Sequence, residues 1–500
     1  MDSPRPSATA VIPSSSGRSS GVHRLAGCCL ILALMGSLPS LSAAPPAGEL
    51  SRDAILAEAG RIIERVLAKE YAVGFALGVI RGDETFTAGF GETARGSGVK
   101  PDAKSLFQIG SVTKTFVGVQ LADLELQGRV RMDDPIDLYL PMNVHAPAWG
   151  SRKITLQDLA THYGGLPGLS DGFVSSPEGV CGDAYTLERL WNWVDGYRLR
   201  RSPGERFEYS NVGLAMLGHL LANVSGKSWE ASCLDQVCLP LGMKDTRVTL
   251  LPEQLPRVCQ GHRPDLDPVR NEELGALAPG GALLSTVDDL VLYCRAHLGT
   301  LPSRLYPAMR SAVTARASAL GGSMKVALCW FTLALPTGEV VFYEGSTLGF
   351  NAVIFMDLEK KLGLVLLCNQ DSRVNDQVAS SILNLLYGRP AEPLELQTAS
   401  KKDREELKAY AGRYLLSRPT SEYDTKGDRI LAVELHPRGL KLAVPGENRT
   451  RLFPQAGDTF FRKDVGKGQC AVKFDRGPEG AVKSVTLFVE GAEKTLPRVD

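Results

Sequence analysis

The sequence predicts an α+β chain: one sheet flanked by helices, with a helical middle, followed by a separate all-β unit. Three observations predict it. Strand-like segments lie at both ends of the stretch from about 50 to 390, with helices and Gly/Pro-punctuated loops between about 115 and 300, so a single sheet has to draw its strands from both ends. At 500 residues the chain is too long for one ordinary core, which makes two folded units the expectation. Beyond residue 409 the pattern changes to short alternating segments separated by turn residues.

Taken in order, residues 1–44 read as a secretory signal peptide. A Ser/Pro/Ala-rich leader made basic by Arg5, Arg18 and Arg24 precedes the apolar run Leu25–Leu34, and small residues suited to cleavage follow. Leu25-Ala-Gly-Cys28 looks like a lipoprotein cleavage box but stands before the apolar run, so it is read as coincidental. The run falls short of the ~20 apolar residues of a membrane span. The expectation is therefore export to a bacterial periplasm or beyond, with no stable membrane span after cleavage.

A first unit, 45–390, begins with a helix over Ser51–Lys69 and a hairpin of Ala72–Val79 with Glu84–Gly91. A helix runs over Ser111–Leu126. Strands return at Val326–Leu335, Val340–Tyr343, Asn351–Asp357 and Leu362–Cys368, and a helix at Val374–Leu386 closes the unit. The Pro-containing stretch Gly388–Leu394 opens a linker, 391–408, whose charged end Lys401–Lys408 starts a short helix stopping at Ala411-Gly412. The remainder, 409–500, shows strands at Arg429–Leu435, Leu440–Ala443, Arg451–Pro454, Thr459–Arg462, Ala471–Asp475 and Ser484–Val489, a sandwich or small barrel. It holds no nucleophile or acid–base cluster, and packing or shaping a cleft is its expected role.

Composition narrows the functions. Lys+Arg and Asp+Glu are both 56, so no basic surface invites nucleic acid or an anionic membrane. Cys28 and Cys29 leave with the signal, and eight cysteines remain: Cys181, Cys233, Cys238, Cys259, Cys294, Cys329, Cys368 and Cys470. Pairing in an oxidising compartment stays open, because connectivity is not legible from sequence. Cys294, Cys329 and Cys368 lie in apolar stretches and read as small buried side chains. The histidines are scattered, no Cys/His spacing suits a metal, and neither metal nor cofactor is expected.

The chemistry concentrates in three segments. In Phe107–Val119 a serine and a lysine stand three apart, Ser111 and Lys114, on one face of a helix start. A serine hydroxyl needs a neighbour to take its proton, and a helix N-terminus favours developing negative charge. The same pattern also describes a capping serine on a solvated helix, so the pair alone decides nothing. In Ser202–Gly218, Tyr209-Ser210-Asn211 ends a Pro-Gly turn and begins an apolar helix. Tyr209 either packs in the core or, turned towards Ser111, acts with Lys114 as general base, and Asn211 then offers an amide to Lys114 and a substrate carbonyl. In Phe342–Phe350, Gly345 allows a ligand close to a strand, and the Ser346 N–H with that of Ser111 forms an oxyanion hole. The alternative is an ordinary hairpin edge with a glycine bulge.

Together these segments resemble the serine β-lactamase and penicillin-binding protein superfamily in its class C-like branch, which holds class C β-lactamases, D-Ala-D-Ala carboxypeptidases, D-aminopeptidases and related esterases. The likeness covers most of 50–390 and includes framework segments Gly128–Leu140, Ile154–Pro167 and Pro279–Leu290. It implies an antiparallel sheet flanked by helices with a helical subdomain, as in DD-peptidases, and β-rich appendages like the C-terminal unit. It implies Ser111 as acylated nucleophile, Lys114 as its activator, Tyr209 and Asn211 as the second motif, and a structural role for His162.

The third motif departs from the pattern. Where the family usually carries Lys or His two residues before the glycine, this chain has Tyr343, in Tyr343-Glu344-Gly345. A tyrosine hydroxyl donates a hydrogen bond but brings no cation for a substrate carboxylate. The reading is thus an exported serine hydrolase working through an acyl-enzyme on small esters or amides, D-amino acid peptides included. A class C-type β-lactamase and a non-catalytic penicillin- or peptidoglycan-binding protein are the rivals.

Overall fold

The strands at the two ends of the first unit meet in one sheet. A computed structural model describes residues 50–500 apart from 172, 174–184, 320–323, 336–337, 373, 395, 418–428, 445–448, 464–470 and 490–491. The expected signal peptide, Cys181 and Cys470 lie outside the described residues. Helix α1 (Arg52–Ala68) starts at Ser51, whose hydroxyl accepts from the Ala54 N–H at 3.2 Å. Strands β1 (Gly74–Arg81) and β2 (Glu84–Gly91) form a hairpin.

The helical middle holds α2 (Thr113–Leu126), α3 (Asn211–Ser225) and α4 (Val287–Leu298). The late strands are β3 (Ala317–Ser318), β4 (Met324–Val326), β5 (Phe331–Leu335), β6 (Gly338–Ser346), β7 (Asn351–Asp357) and β8 (Leu362–Cys368), followed by α5 (Val374–Leu386). The sheet order is β2-β1-β8-β7-β6-β5-β4-β3. β1 lies antiparallel to β8 from Phe75 opposite Cys368 to Arg81 opposite Leu362, and this pairing joins the two ends of the unit. Every residue of β7 and β8 is buried, so both faces are covered; α4 packs on β1 and β8, while α1 and α5 pack on each other and on the sheet. This is the α+β architecture the sequence implies.

Several boundaries differ from expectation, among them the strand expected at Val340–Tyr343, which runs Gly338–Ser346 and carries the third motif within it. The hairpin's first strand runs Gly74–Arg81 instead of Ala72–Val79. The expected strand Val326–Leu335 is broken into β4 and β5 by Ala327–Trp330, where Cys329 takes φ +57° and its N–H donates to Ala160 O at 2.9 Å. The break lets the backbone meet α2: a Cβ on Gly118 would stand 2.1 Å from the Leu328 carbonyl oxygen.

The C-terminal unit is an eight-stranded antiparallel meander in chain order: β9 (Gly412–Ser417), β10 (Arg429–His436), β11 (Gly439–Ala443), β12 (Thr450–Pro454), β13 (Thr459–Phe461), β14 (Ala471–Arg476), β15 (Val482–Val489) and β16 (Ala492–Pro497). A bridge from Tyr414 to Arg498 and a hydrogen bond from Val499 N to Arg413 O (2.9 Å) bring its ends together, so it is barrel-like and not a sandwich. Its first and last strands, β9 and β16, escaped the sequence reading. The interior is filled by Tyr410, Tyr414, Leu431, Phe460, Phe474 and Val485, a core separate from the first. Cys233, Cys238, Cys259, Cys294, Cys329 and Cys368 are free, buried thiols. Among the described residues no helix is long and apolar enough to cross a membrane.

Gly118 gives a test of this packing. Alanine is the better helix former by about 1 kcal/mol, yet its methyl would overlap a backbone oxygen that cannot swing aside. Gly118→Ala is expected to lower stability by about 1–3 kcal/mol, measured by urea unfolding.

Candidate active site

The site is assembled by backbone before any side chain acts. Phe107-Gln108 pairs with Leu284-Ser285, Ile109 N donates to Leu283 O at 3.0 Å, and the chain turns at Gly110 (φ +49°) into one 3₁₀ turn, Gly110–Val112, ahead of α2. A Cβ on Gly110 would lie 2.7 Å from both N and O of Ser346. A Cβ on Gly345 would lie 1.9 Å from Ile109 O and 2.9 Å from Ser111 N. Two glycines thus let the start of α2 touch the end of β6 main chain to main chain. Ser346 stands opposite Asn351, and Thr347 N bonds Phe350 O at 3.0 Å. Successive residues of an antiparallel strand direct their backbone groups to opposite sides, so the Ser346 N–H points away from β7, towards Gly110 and Ser111.

Ser111 does not cap α2; the cap position is Val112, with no side-chain hydrogen bond. Its hydroxyl oxygen instead accepts from Lys114 Nζ at 2.9 Å. Lys114 is 0 % exposed, its second acceptor is the Gly280 carbonyl at 2.5 Å, and its Nζ lies 5.0 Å over the centre of the Tyr209 ring.

Tyr209 is half-buried at the junction into α3, its ring 4.5 Å from that of His162. Ser210 holds the junction, accepting from Gly213 N (2.9 Å) and donating to Pro167 O (2.6 Å), a helix-capping role that sequence reasoning passed over. Asn211 sits beside it; its N–H donates to Gly168 O at 2.9 Å, and among the described residues its side-chain amide makes no hydrogen bond, the expected contact with Lys114 going to Gly280 instead. His162, in the left-handed region at φ +62°, accepts at Nδ1 from Ser210 N (3.1 Å). Burial, helped by the nearby Lys114 charge, holds it well below the usual histidine range.

Tyr343 is 1 % exposed, stacked on Phe331 with centres 5.3 Å apart, and its hydroxyl donates to the Tyr209 hydroxyl at 3.3 Å. Ser346 Oγ donates to Asp371 Oδ1 at 3.0 Å. Asp371 carries no sequence signal, being one acid in an ordinary turn. Among the described residues no group of His, Cys, Asp and Glu is arranged to hold a metal ion. The arrangement offers a hydroxyl hydrogen-bonded to a buried lysine head group, beside the backbone of Ser346, a setting that suits attack on a carbonyl.

Comparison with known proteins agrees. The beta-lactamase family model matches residues 59–388, and the chain belongs to that family of serine hydrolases. It is 32% identical over 264 residues to the D-alanyl-D-alanine-carboxypeptidase/endopeptidase AmpH of Escherichia coli K12, covering 53% of this chain and 67% of that one. It is 24% identical over 469 residues to penicillin-binding protein 4* of Bacillus subtilis 168, covering 87% and 97%. Among solved structures, a beta-lactamase/D-alanine carboxypeptidase from Yersinia pestis superposes with a TM-score of 0.58 at 24% identity over 66% of this chain and 99% of its own. An octameric penicillin-binding protein homologue from Pyrococcus abyssi gives 0.60 at 22% identity over 88% and 99%, the barrel side included. At these identities the structures speak to the fold alone.

The buried imidazoles make stability acid-sensitive. His297, enclosed by Tyr293 and Trp330, is pushed down to about 4 by burial, and His162, His219 and His262 move in the same direction. Below pH 6.5 the unfolded chain takes up protons that the folded chain refuses, so stability is present above that pH and drains away as pH falls. His297 alone is expected to cost about 2 kcal/mol by pH 5. Urea unfolding at pH 7 and pH 5 measures the loss, and H297Q flattens it.

Proposed function

We propose that the chain is an exported serine hydrolase whose nucleophile is Ser111, acting on small esters or amides, including D-amino acid peptides. The observation that carries the reading is the 2.9 Å bond between Ser111 Oγ and a fully buried Lys114. An ammonium stripped of water and facing a hydroxyl is costly to maintain for packing alone. In this reading Tyr209 and Lys114 act together as the base, in the form of the pair that lacks one proton: Ser111 Oγ attacks the substrate carbonyl as its proton passes to that pair. The carbonyl oxygen settles between the N–H groups of Ser111 and Ser346. The proton is returned to the departing alcohol or amine, and water later releases the acid. Asn211, its amide uncommitted among the described residues, would hold a second carbonyl of the substrate in this reading.

The substrate reading follows from Tyr343. An aromatic slot whose hydroxyl is engaged with Tyr209, next to a Ser346 hydroxyl engaged with Asp371, supports neutral acyl groups over carboxylate-bearing ones. The E. coli relative is named for D-alanyl-D-alanine peptides; the scissile amide of such a peptide is of the class proposed here, and its free terminal carboxylate is the group that Tyr343 disfavours. The basic leader and apolar run at the N-terminus support export.

Ser111→Ala is expected to lower turnover of p-nitrophenyl esters at least about 10³-fold and to abolish labelling by a fluorophosphonate. Retained activity, or a wild-type protein that takes no label, points to the non-catalytic alternative. Tyr343→Lys puts a cation in the same slot. At pH 7 it is expected to raise the rate of Ser111 acylation by penicillin about tenfold, followed by intact mass.

A further inference from the structure

We propose that the C-terminal barrel positions the oxyanion-holding end of β6 through Lys441, an inference that rests on reading the Ser346 N–H as an oxyanion donor. Behind that end lies a small hairpin, Gly261-His262 paired with Pro268-Val269. Its base is fastened to the third motif. His262 N donates to Gly349 O (3.1 Å), a Cβ on Gly349 would stand 2.5 Å from the Val269 side chain, and Asp371 N donates to His262 O (3.1 Å). Asp371 in turn receives the Ser346 hydroxyl at 3.0 Å. A movement of the hairpin is therefore felt at Gly349 and Asp371, on both sides of Ser346.

The hairpin's tip is held by the other domain. Asp265 and Asp267 stand on its turn, whose buried Leu266 sits in the left-handed region at φ +66°, a conformation that persists only where the surroundings impose it. From the barrel, Lys441 on β11 reaches both carboxylates, at 3.1 Å from Asp265 and 2.7 Å from Asp267, and Arg438 pairs with Asp267. Asp265 is 3 % exposed, so this is an enclosed clamp of two acids and two bases. Lys463 adds a separate tie to the first unit, donating to Lys69 O at 2.7 Å, which keeps the barrel docked when the clamp is altered.

Lys441 is thus a positioning residue: it touches no substrate, and its effect runs through the hairpin to Gly349, Asp371 and Ser346. The test uses the full chain. Lys441→Gln is expected to lower kcat/KM for a p-nitrophenyl ester about tenfold at unchanged KM, and to speed hydrogen exchange in peptides covering 261–269 and 343–350. Lys441→Arg restores both, and D265N with D267N reproduces the loss in case the lysine variant folds poorly. Wild-type exchange in the 343–350 peptide of a folded Lys441→Gln protein overturns the proposal, whatever the enzyme's activity. Faster exchange with unchanged kcat/KM overturns it as well. A wild-type protein with no Ser111 acylation refutes the catalytic reading instead, leaving exchange to decide the clamp.

Discussion

The rest of the site depends on one backbone-to-backbone contact, Gly110 and Ser111 against Gly345 and Ser346. Any side chain at either glycine would occupy space already held by main-chain atoms, with separations of 1.9–2.9 Å that no rotamer change relieves. The contact fixes where Ser111 sits relative to β6. It also explains the irregular approach: Gly110 takes a positive φ, and one 3₁₀ turn precedes α2, so the serine is presented to the strand instead of being spent on capping. The sheet makes this durable, because β6 is flanked by β5 and β7 and cannot shift without disrupting ladders on both sides.

Lys114 is the second constraint, and an expensive one. Its stem lies in a helix buried from Thr113 to Leu124, and its ammonium meets a hydroxyl, a carbonyl and an aromatic face in place of water. Loss of water from an ammonium costs several kcal/mol that such neutral partners return only in part. The surroundings are tuned accordingly. His162, which feels the Lys114 charge, is held well below the usual histidine range first by its own burial and then by that charge.

Much of this was legible in the sequence, and the reason is spacing. Ser111 and Lys114 meet because α-helical geometry places residues three apart on one face, a purely local rule. That one sheet draws its strands from both ends of the unit followed from the strand-like runs there, while the β1–β8 junction itself did not. What stayed hidden was non-local. Gly280 supplies the carbonyl for Lys114 from 166 residues away, a partner chosen by how a 3₁₀ segment crosses α2. The break at Cys329 arises because Gly118 needs room for a backbone, and a continuous apolar run cannot announce that. Strands β9 and β16 were missed because they close the barrel: their pattern is set by each other and by the Tyr414–Arg498 bridge, with little apolar alternation of their own.

The exchange of a cation for Tyr343 sets more than one hydrogen bond. A lysine there would need a carboxylate or water to balance it, whereas Tyr343 is sealed between Phe331 and Trp330 and spends its proton on Tyr209. A substrate carboxylate brought to this wall would lose its water and find an aromatic edge, with the Ser346 proton already given to Asp371. In the proposed reading the cost of that desolvation disfavours charged acyl ends, beyond the loss of an attraction. A neutral acyl group loses little water against the same wall and leaves the Tyr343–Tyr209 bond intact. One residue therefore orders the ring above Lys114 and, in the function proposed here, also carries the preference among acyl groups.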